Sequence, residues 1–169
     1  EPIVAETMRN LYDGVPMEEV YKASILASRT LIEKDPDYTY VTARLLMHTI
    51  AKEILGKEVP PEQLPQAYLD YFPQFIKKGV DNDLLDEKLL QFDLTRLAAA
   101  LKPERDMQFD YLGLQTLYDR YFLHVRKTRI EMPQAFFMRV AMGLSLNETD
   151  REARAIEFYE ILSSFDFMS

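Results

Sequence analysis

The stretch Glu104–Arg126, "ERDMQFDYLGLQTLYDRYFLHVR", packs three Arg, three Asp, three Tyr and two Phe into 23 residues. Its charges point to chemistry and its aromatic spacing points to packing. Tyr111, Leu114 and Tyr118 share one helical face, as do Leu117 and Tyr121, so its first half reads as helix. Its C-terminal end reads differently. "YFLHV" (121–125) and "TRIEM" (128–132) are short β-capable runs divided by Arg126-Lys127, the pattern of a small hairpin. If the flanks are helical, the chain is mainly α with one β-hairpin.

The flanks are helical. "AETMRNLYDG" (5–14) reads as a short helix stopped at Asp13-Gly14, where Gly14 can take a left-handed cap conformation. "PMEEVYKASILASRTLIEK" (16–34) carries Pro16, Glu18 and Glu19 at its start, all favoured there. Its stripe is Val20, Ala23, Ala27 and Leu31. "YTYVTARLLMHTIAKEILGK" (38–57) places Val41, Leu45, His48 and Leu55 near one face, with Gly56 as the stop. "PEQLPQAYLDYFPQFIKKGVDN" (61–82) holds Pro65 and Pro73 and reads as short helices with a kink. "DEKLLQFDLTRLAAALKPER" (86–105) reads as one helix with Leu90, Leu94, Leu97 and Leu101 in register, ended by Pro103. "PQAFFMRVAMGLSL" (133–146) restarts at Pro133 with Phe136, Phe137, Val140, Ala141 and Leu144 inward. Thr149 and Glu152 have capping-box spacing for a last helix burying Phe158, Ile161, Leu162 and Phe165. The expected fold is an irregular helical bundle with a small β-hairpin.

Composition narrows the function. The 169 residues carry a net charge of −8, against the basic face of a non-specific nucleic-acid binder. There is no cysteine, hence no thiolate metal site and no thiol nucleophile. No apolar run approaches the roughly 20 residues of a membrane span. No basic-then-apolar leader opens the chain, and a soluble cytoplasmic protein is the expectation. With five glycines there is no Gly-rich phosphate loop. The chain opens on Glu1 and stops inside the apolar "SSFDFMS", so it reads as a piece of a longer protein.

Candidate chemistry is thin. His48 and His124 lack a second histidine at ligand spacing, and a packed or hydrogen-bonded role suits both. The acids scatter over helix faces, so no metal site is expected. No serine sits in a nucleophile elbow. Arg105-Asp106 reads either as an Arg grip on a substrate phosphate or as a buried ion pair that fixes how the hairpin meets the helix. The second fits better. Asp106 or Asp110 can cap the following helix, and Arg105 or Arg120 can hold a carboxylate with two hydrogen bonds.

Three blocks then resemble one family. "DPDYTYVTARLL" (35–46), "RDMQFDYLGLQTLYDRYFL" (105–123) and "MPQAFFMRVAMGL" (132–144) resemble the large (alpha) subunit of class I ribonucleotide reductase, in its order and at about its spacing. The resemblance covers essentially the whole chain. It implies that residues 1–56 are the C-terminal part of a degenerate ATP-cone-like region. It makes residues 57–169 the N-terminal helical region, ending before the catalytic barrel. The family's catalytic cysteines, substrate site and specificity site lie further along, so no catalytic residue is expected here.

The full-length protein would be similar to enzymes that reduce ribonucleotides to deoxyribonucleotides by a radical mechanism, an allosteric, ATP-binding oxidoreductase. Its implied partners are a small (beta) subunit as radical source, a second large subunit, and ATP or dATP as effectors. A working cone opens with a Lys-Arg-Asp-Gly type hairpin, which is absent here. The family's Thr and His after the "YDG" turn correspond to Met17 and Tyr21, and only Lys52 matches an effector-binding position. No cofactor is expected in this chain itself. The rival reading is a stand-alone acidic helical interaction module using an aromatic groove.

Overall fold

The computed structural model describes residues 1–165. They form helices α1 (Pro2–Arg9), α2 (Met17–Leu31), α3 (Tyr38–Leu55), α4 (Leu64–Asp81), α5 (Leu94–Ala100), α6 (Tyr111–Thr116), α7 (Pro133–Ser145) and α8 (Arg151–Ser163), with strands β1 (His124–Val125) and β2 (Thr128–Arg129). Tight 3-10 turns precede α4, α5 and α6, and a π turn, Leu117–Tyr121, follows α6. A mainly α fold with one small hairpin is what the sequence leads one to expect. No helix of the described residues is long and apolar enough to cross a membrane. Two compact units form. The first joins Glu1–Ile50 to Met107–Arg120, and the second joins Ala51–Asp106 to the chain from Tyr121 on.

In the first unit α1 ends at Arg9, short of Asp13-Gly14. The Asn10 side chain donates to the Glu6 carbonyl at 3.0 Å and closes the helix early. Gly14 takes its positive φ of 80° in the loop beyond. The buried residues of α2 are Ile25, Ala27 and Ser28. On α3 they are Thr42, Ala43, Leu46, Met47 and Ile50, while Val41 is exposed and Leu45 and His48 are half-buried. The expected α3 stripe is therefore displaced by one position. Small residues explain it: Ser28 and Thr42, both fully buried, share a hydrogen bond at 2.7 Å. A count of large aliphatics does not register a contact built on Ser, Thr and Ala. The Thr39 hydroxyl accepts from the Tyr111 amide at 3.0 Å, and the Arg29 guanidinium lies 5.8 Å from the Tyr111 ring centre. These contacts seat the start of α6.

In the second unit α4 is one unbroken helix. Pro65 stands in its first turn, where a missing N–H costs nothing, and Pro73 is carried inside it. An internal proline costs about 3 kcal/mol. Tyr68, Phe72, Phe75 and Ile76 all bury on this helix, and each large apolar side chain returns roughly 1.5–3 kcal/mol. Packing thus outweighs the break. At Gly79 a Cβ would stand 2.5 Å from Leu85 Cδ1, so a side chain there would have to displace Leu85.

The expected single helix over 86–105 is two pieces. Asp86 caps a 3-10 turn by accepting from the Lys88 amide at 2.8 Å, and Asp93 caps α5 by accepting from the Arg96 amide at 3.1 Å. Between them Phe92 is extended and buried, and Leu90 is exposed. Two strong caps in close succession override the leucine register.

The hairpin forms as the sequence implies, with His124 opposite Arg129 and Val125 opposite Thr128. Arg126 and Lys127 both take positive φ, 50° and 70°, as a tight two-residue turn demands. His124 is exposed, not packed.

Helix α7 packs extensively on α8. It buries Gln134, Ala135, Phe137, Met138, Ala141, Met142 and Ser145, whereas Leu144 is 62% exposed and Phe136 and Val140 are half-buried. Helix α8 buries Ala155, Tyr159 and Ser163; Ile161 is 43% exposed, and Phe158, Leu162 and Phe165 are half-buried. Its cap is Asp150, accepting from Ala153 N at 3.2 Å. The expected capping pair Thr149–Glu152 does not form, because Glu152 accepts from the Asp93 amide at 3.0 Å.

Candidate functional site

The densest polar chemistry of the second unit is buried. Asp106 lies in the 3-10 turn before α6, and its carboxylate is held from two sides. Tyr68 of α4 donates its hydroxyl to Oδ2 at 2.7 Å, and Gln134 of α7 donates Nε2 to Oδ1 at 2.8 Å. The Gln134 amide N–H in turn donates to the Tyr68 hydroxyl at 3.3 Å. Tyr159 of α8 donates to Gln134 Oε1 at 2.6 Å and accepts from the Lys102 amide at 2.8 Å. Tyr68, Gln134 and Tyr159 are fully buried. Burial pushes the Asp106 carboxyl up to about 7; the bonds from Gln134 and Tyr68 pull the other way, and Glu104 nearby adds to the rise. Burial likewise pushes the Tyr159 hydroxyl up to about 12 and the Tyr68 hydroxyl well above its ordinary value, so both tyrosines stay protonated donors near neutral pH.

Arg105 and Asp106 are not an ion pair. Adjacent residues of a tight turn point apart, and Arg105 turns to α8. Its Nη2 lies 2.8 Å from Glu160 Oε2, and Nη1 donates to the Glu160 carbonyl at 3.1 Å and to Ser163 Oγ at 2.5 Å. Lys102 Nζ joins at 2.8 Å from Glu160 Oε1. Desolvation, the largest influence on the Glu160 carboxyl, pushes it up. Hydrogen bonds from Lys102, with the charges of Arg105 and Lys102, together outweigh that push and hold it below its ordinary range. Asp110, not Asp106, caps α6, accepting from the Gly113 amide at 2.7 Å.

The ion pair that ties hairpin to helix is Glu131–Arg139. Arg139 Nε stands 2.5 Å from Oε2 and Nη2 3.1 Å from Oε1, while Oε1 also accepts from the Leu123 amide at 3.2 Å. Tyr71 donates to the Ile130 carbonyl. The hairpin base is thereby pinned at Leu123, Ile130 and Glu131.

Of the other candidates, His48 Nε2 lies 3.2 Å from the Tyr21 hydroxyl with ring centres 5.0 Å apart, the hydrogen-bonded role expected for it. Lys52 Nζ lies 3.5 Å from Glu58 Oε1. Among the described residues no group of three His, Cys, Asp or Glu could hold a metal. Sequence reasoning missed Tyr68, Gln134, Tyr159, Glu131 and Arg139. The one signal for them in the sequence was polar Glu131 and Gln134 inside the otherwise apolar 130–138.

These hydrogen bonds join helices to one another: α4 and α7 through Asp106, and α7 to α8 through Gln134 and Tyr159. The family model described as "Ribonucleotide reductase, all-alpha domain" matches residues 107–169. Over 158 residues, 94% of this chain, it is 49% identical to the ribonucleoside-diphosphate reductase subunit alpha of Chlamydia trachomatis serovar D, covering 15% of that protein.

Residues 107–169 match the ribonucleotide reductase all-alpha domain, and the chain is similar over nearly its whole length to reductase large subunits.

The Helicobacter pylori alpha subunit is 37% identical over 92% of this chain and 19% of its own length. The Escherichia coli subunit alpha of reductase 1 is 28% identical over 91% and 20%. The chain thus spans about 15–20% of the length of the large subunits that it matches. Within the all-alpha match fall α6, the hairpin, α7 and α8, together with Gln134, Tyr159, Glu131 and Arg139.

Proposed function

We propose that this chain is the N-terminal scaffold and regulatory-coupling part of a class I ribonucleoside-diphosphate reductase large subunit. The whole protein would reduce ribonucleotides to deoxyribonucleotides for DNA synthesis, in the cytoplasm, with a small subunit as radical source and a second large subunit. One observation carries the reading: 94% of the chain aligns with a protein named as the alpha subunit at 49% identity. The chain has no cysteine, so the thiol chemistry that the resemblance implies must come from the rest of the subunit. Residues 1–56 are assigned to a degenerate cone-like region and 57–169 to the helical region before the barrel.

The test is a reductase assay of the full-length subunit with its small subunit, beside the 169-residue chain alone. Turnover by the former and none by the latter is expected. Turnover by the chain alone overturns the scaffold reading, and an inactive full-length pair overturns the reductase reading. Lys52 is the candidate contact for an ATP or dATP effector. Calorimetric titration of the chain with each nucleotide and magnesium checks it, with binding that Lys52→Ala removes as the expected result. No saturable binding removes Lys52 from the effector site.

A further inference from the structure

The hydrogen bonds around Asp106 have a direction. Lys102 N–H donates to Tyr159, Tyr159 to Gln134 Oε1, and Gln134 Nε2 to Asp106 Oδ1, while Tyr68 donates to Oδ2. Every donor runs toward the carboxylate. This wiring is complete only when Asp106 is ionised, because a carboxylic acid must itself donate. Yet no ion pair reaches Asp106 among the described residues, and it is buried among helices.

A protonated Asp106 has one way to keep the set whole. Gln134 turns its amide over, presenting Oε1 to the new Asp106 O–H and Nε2 to Tyr159. The two amide ends are nearly alike in shape, so both end positions occupy the same space. Tyr159 then accepts from Lys102 N and Gln134 Nε2, filling both lone pairs, and swings its own proton to Ser163. Ser163 lies one turn along α8 from Tyr159 and already accepts from Arg105 Nη1 at 2.5 Å. The only proton exchanged is the one Asp106 takes from solvent; that of Tyr159 rotates without leaving its oxygen.

We infer that Gln134 is a two-position relay, whose amide turnover on protonation of Asp106 reverses the hydrogen bonds from Asp106 through Tyr159 to the Arg105–Glu160–Ser163 group. The groups facing Asp106 are Tyr68 from α4, Tyr159 from α8 and Glu104 from its own turn, while Arg105 turns away to pair with Glu160 beyond Tyr159. Helix α7 offers the neutral Gln134, its Arg139 being held by Glu131. Burial raises the Asp106 carboxyl to about 7, so both positions are populated near neutrality.

The test is nuclear magnetic resonance of the 169-residue chain between about pH 5.5 and about pH 8.5, a window around the ordinary histidine range. The Asp106 carboxyl carbon, the Gln134 side-chain NH₂ and the Ser163 signals are expected to shift with one shared midpoint. In Tyr159→Phe, Asp106 still titrates but Ser163 no longer follows. In Asp106→Asn, the Gln134 NH₂ shift becomes independent of pH. Titration of Asp106 with an unmoved Gln134 NH₂ overturns the relay, and so does the absence of any Asp106 titration in that window. Both are read on the unmodified chain, so a variant that fails to fold does not blunt the test.

Discussion

Glu131 and Arg139 meet through two hydrogen bonds, 2.5 and 3.1 Å, with the Glu131 carboxylate fully buried. The same carboxylate accepts from Leu123 N, so one side chain joins the entry of the hairpin to the second turn of α7. Removing one partner of such a buried pair leaves a charge without compensation and costs about 3–5 kcal/mol. Arg139→Leu should lose stability on that scale in urea denaturation. Glu131→Leu combined with Arg139→Leu should lose much less than the two single changes summed.

Asp106 sets a pH dependence of known sign. Its folded pKa, about 7, lies above the ordinary 3.8. A raised carboxyl contributes stability that is fully present below the unfolded value and lost as pH rises through the folded one. Melting temperature should therefore fall between about pH 4 and about pH 7 in the natural chain and level off above. Asp106→Asn should flatten that slope. Glu131, also raised by burial, leaves a remainder of the same sign. A slope unchanged by Asp106→Asn would show that Asp106 does not titrate there.

Two aspartates divide 86–105 and start the last helix. Asp93→Ala and Asp150→Ala each remove a side-chain cap and should cost about 1 kcal/mol of stability, read from denaturation midpoints. Asp93→Ala keeps its own amide bond to Glu152, so the two losses should add if the helices respond independently.

Arg126 and Lys127 hold left-handed backbone without being glycine. Arg126→Asn with Lys127→Gly supplies the residues such a turn prefers and should stabilise by up to roughly 1 kcal/mol. Amide exchange at Ile130, whose N–H donates to the Leu123 carbonyl, would slow in proportion.

Gly79→Ala should destabilise by about 1–3 kcal/mol, because the new methyl overlaps Leu85. Pairing it with Leu85→Ala should recover part of the loss in the same denaturation experiment.

The sequence carried the helical class and the hairpin clearly, since apolar periodicity and a two-residue turn are local signals. It misplaced the inward faces of α3, α7 and α8. There the contacts run through Ser28, Thr42, Gln134, Tyr159 and Ser163, which a search for large aliphatics passes over. Pro73 suggested a break that burial of Phe72 and Phe75 overrides. The Asp106 cluster was illegible for another reason. Its members are scattered from Tyr68 to Tyr159, and only the folded chain brings them together. Asp106 stands out in the sequence, but beside the wrong partner, because adjacency in sequence is a poor guide to direction in a tight turn.

The order in which the ribosome releases the chain gives α8 a special place. Lys102, Arg105 and Gln134 all find their partners on Tyr159, Glu160 and Ser163. Helices α4, α5 and α7 emerge earlier and must wait, with the polar ends of that group still wet. The second unit therefore closes its polar group only after α8 has cleared the exit tunnel.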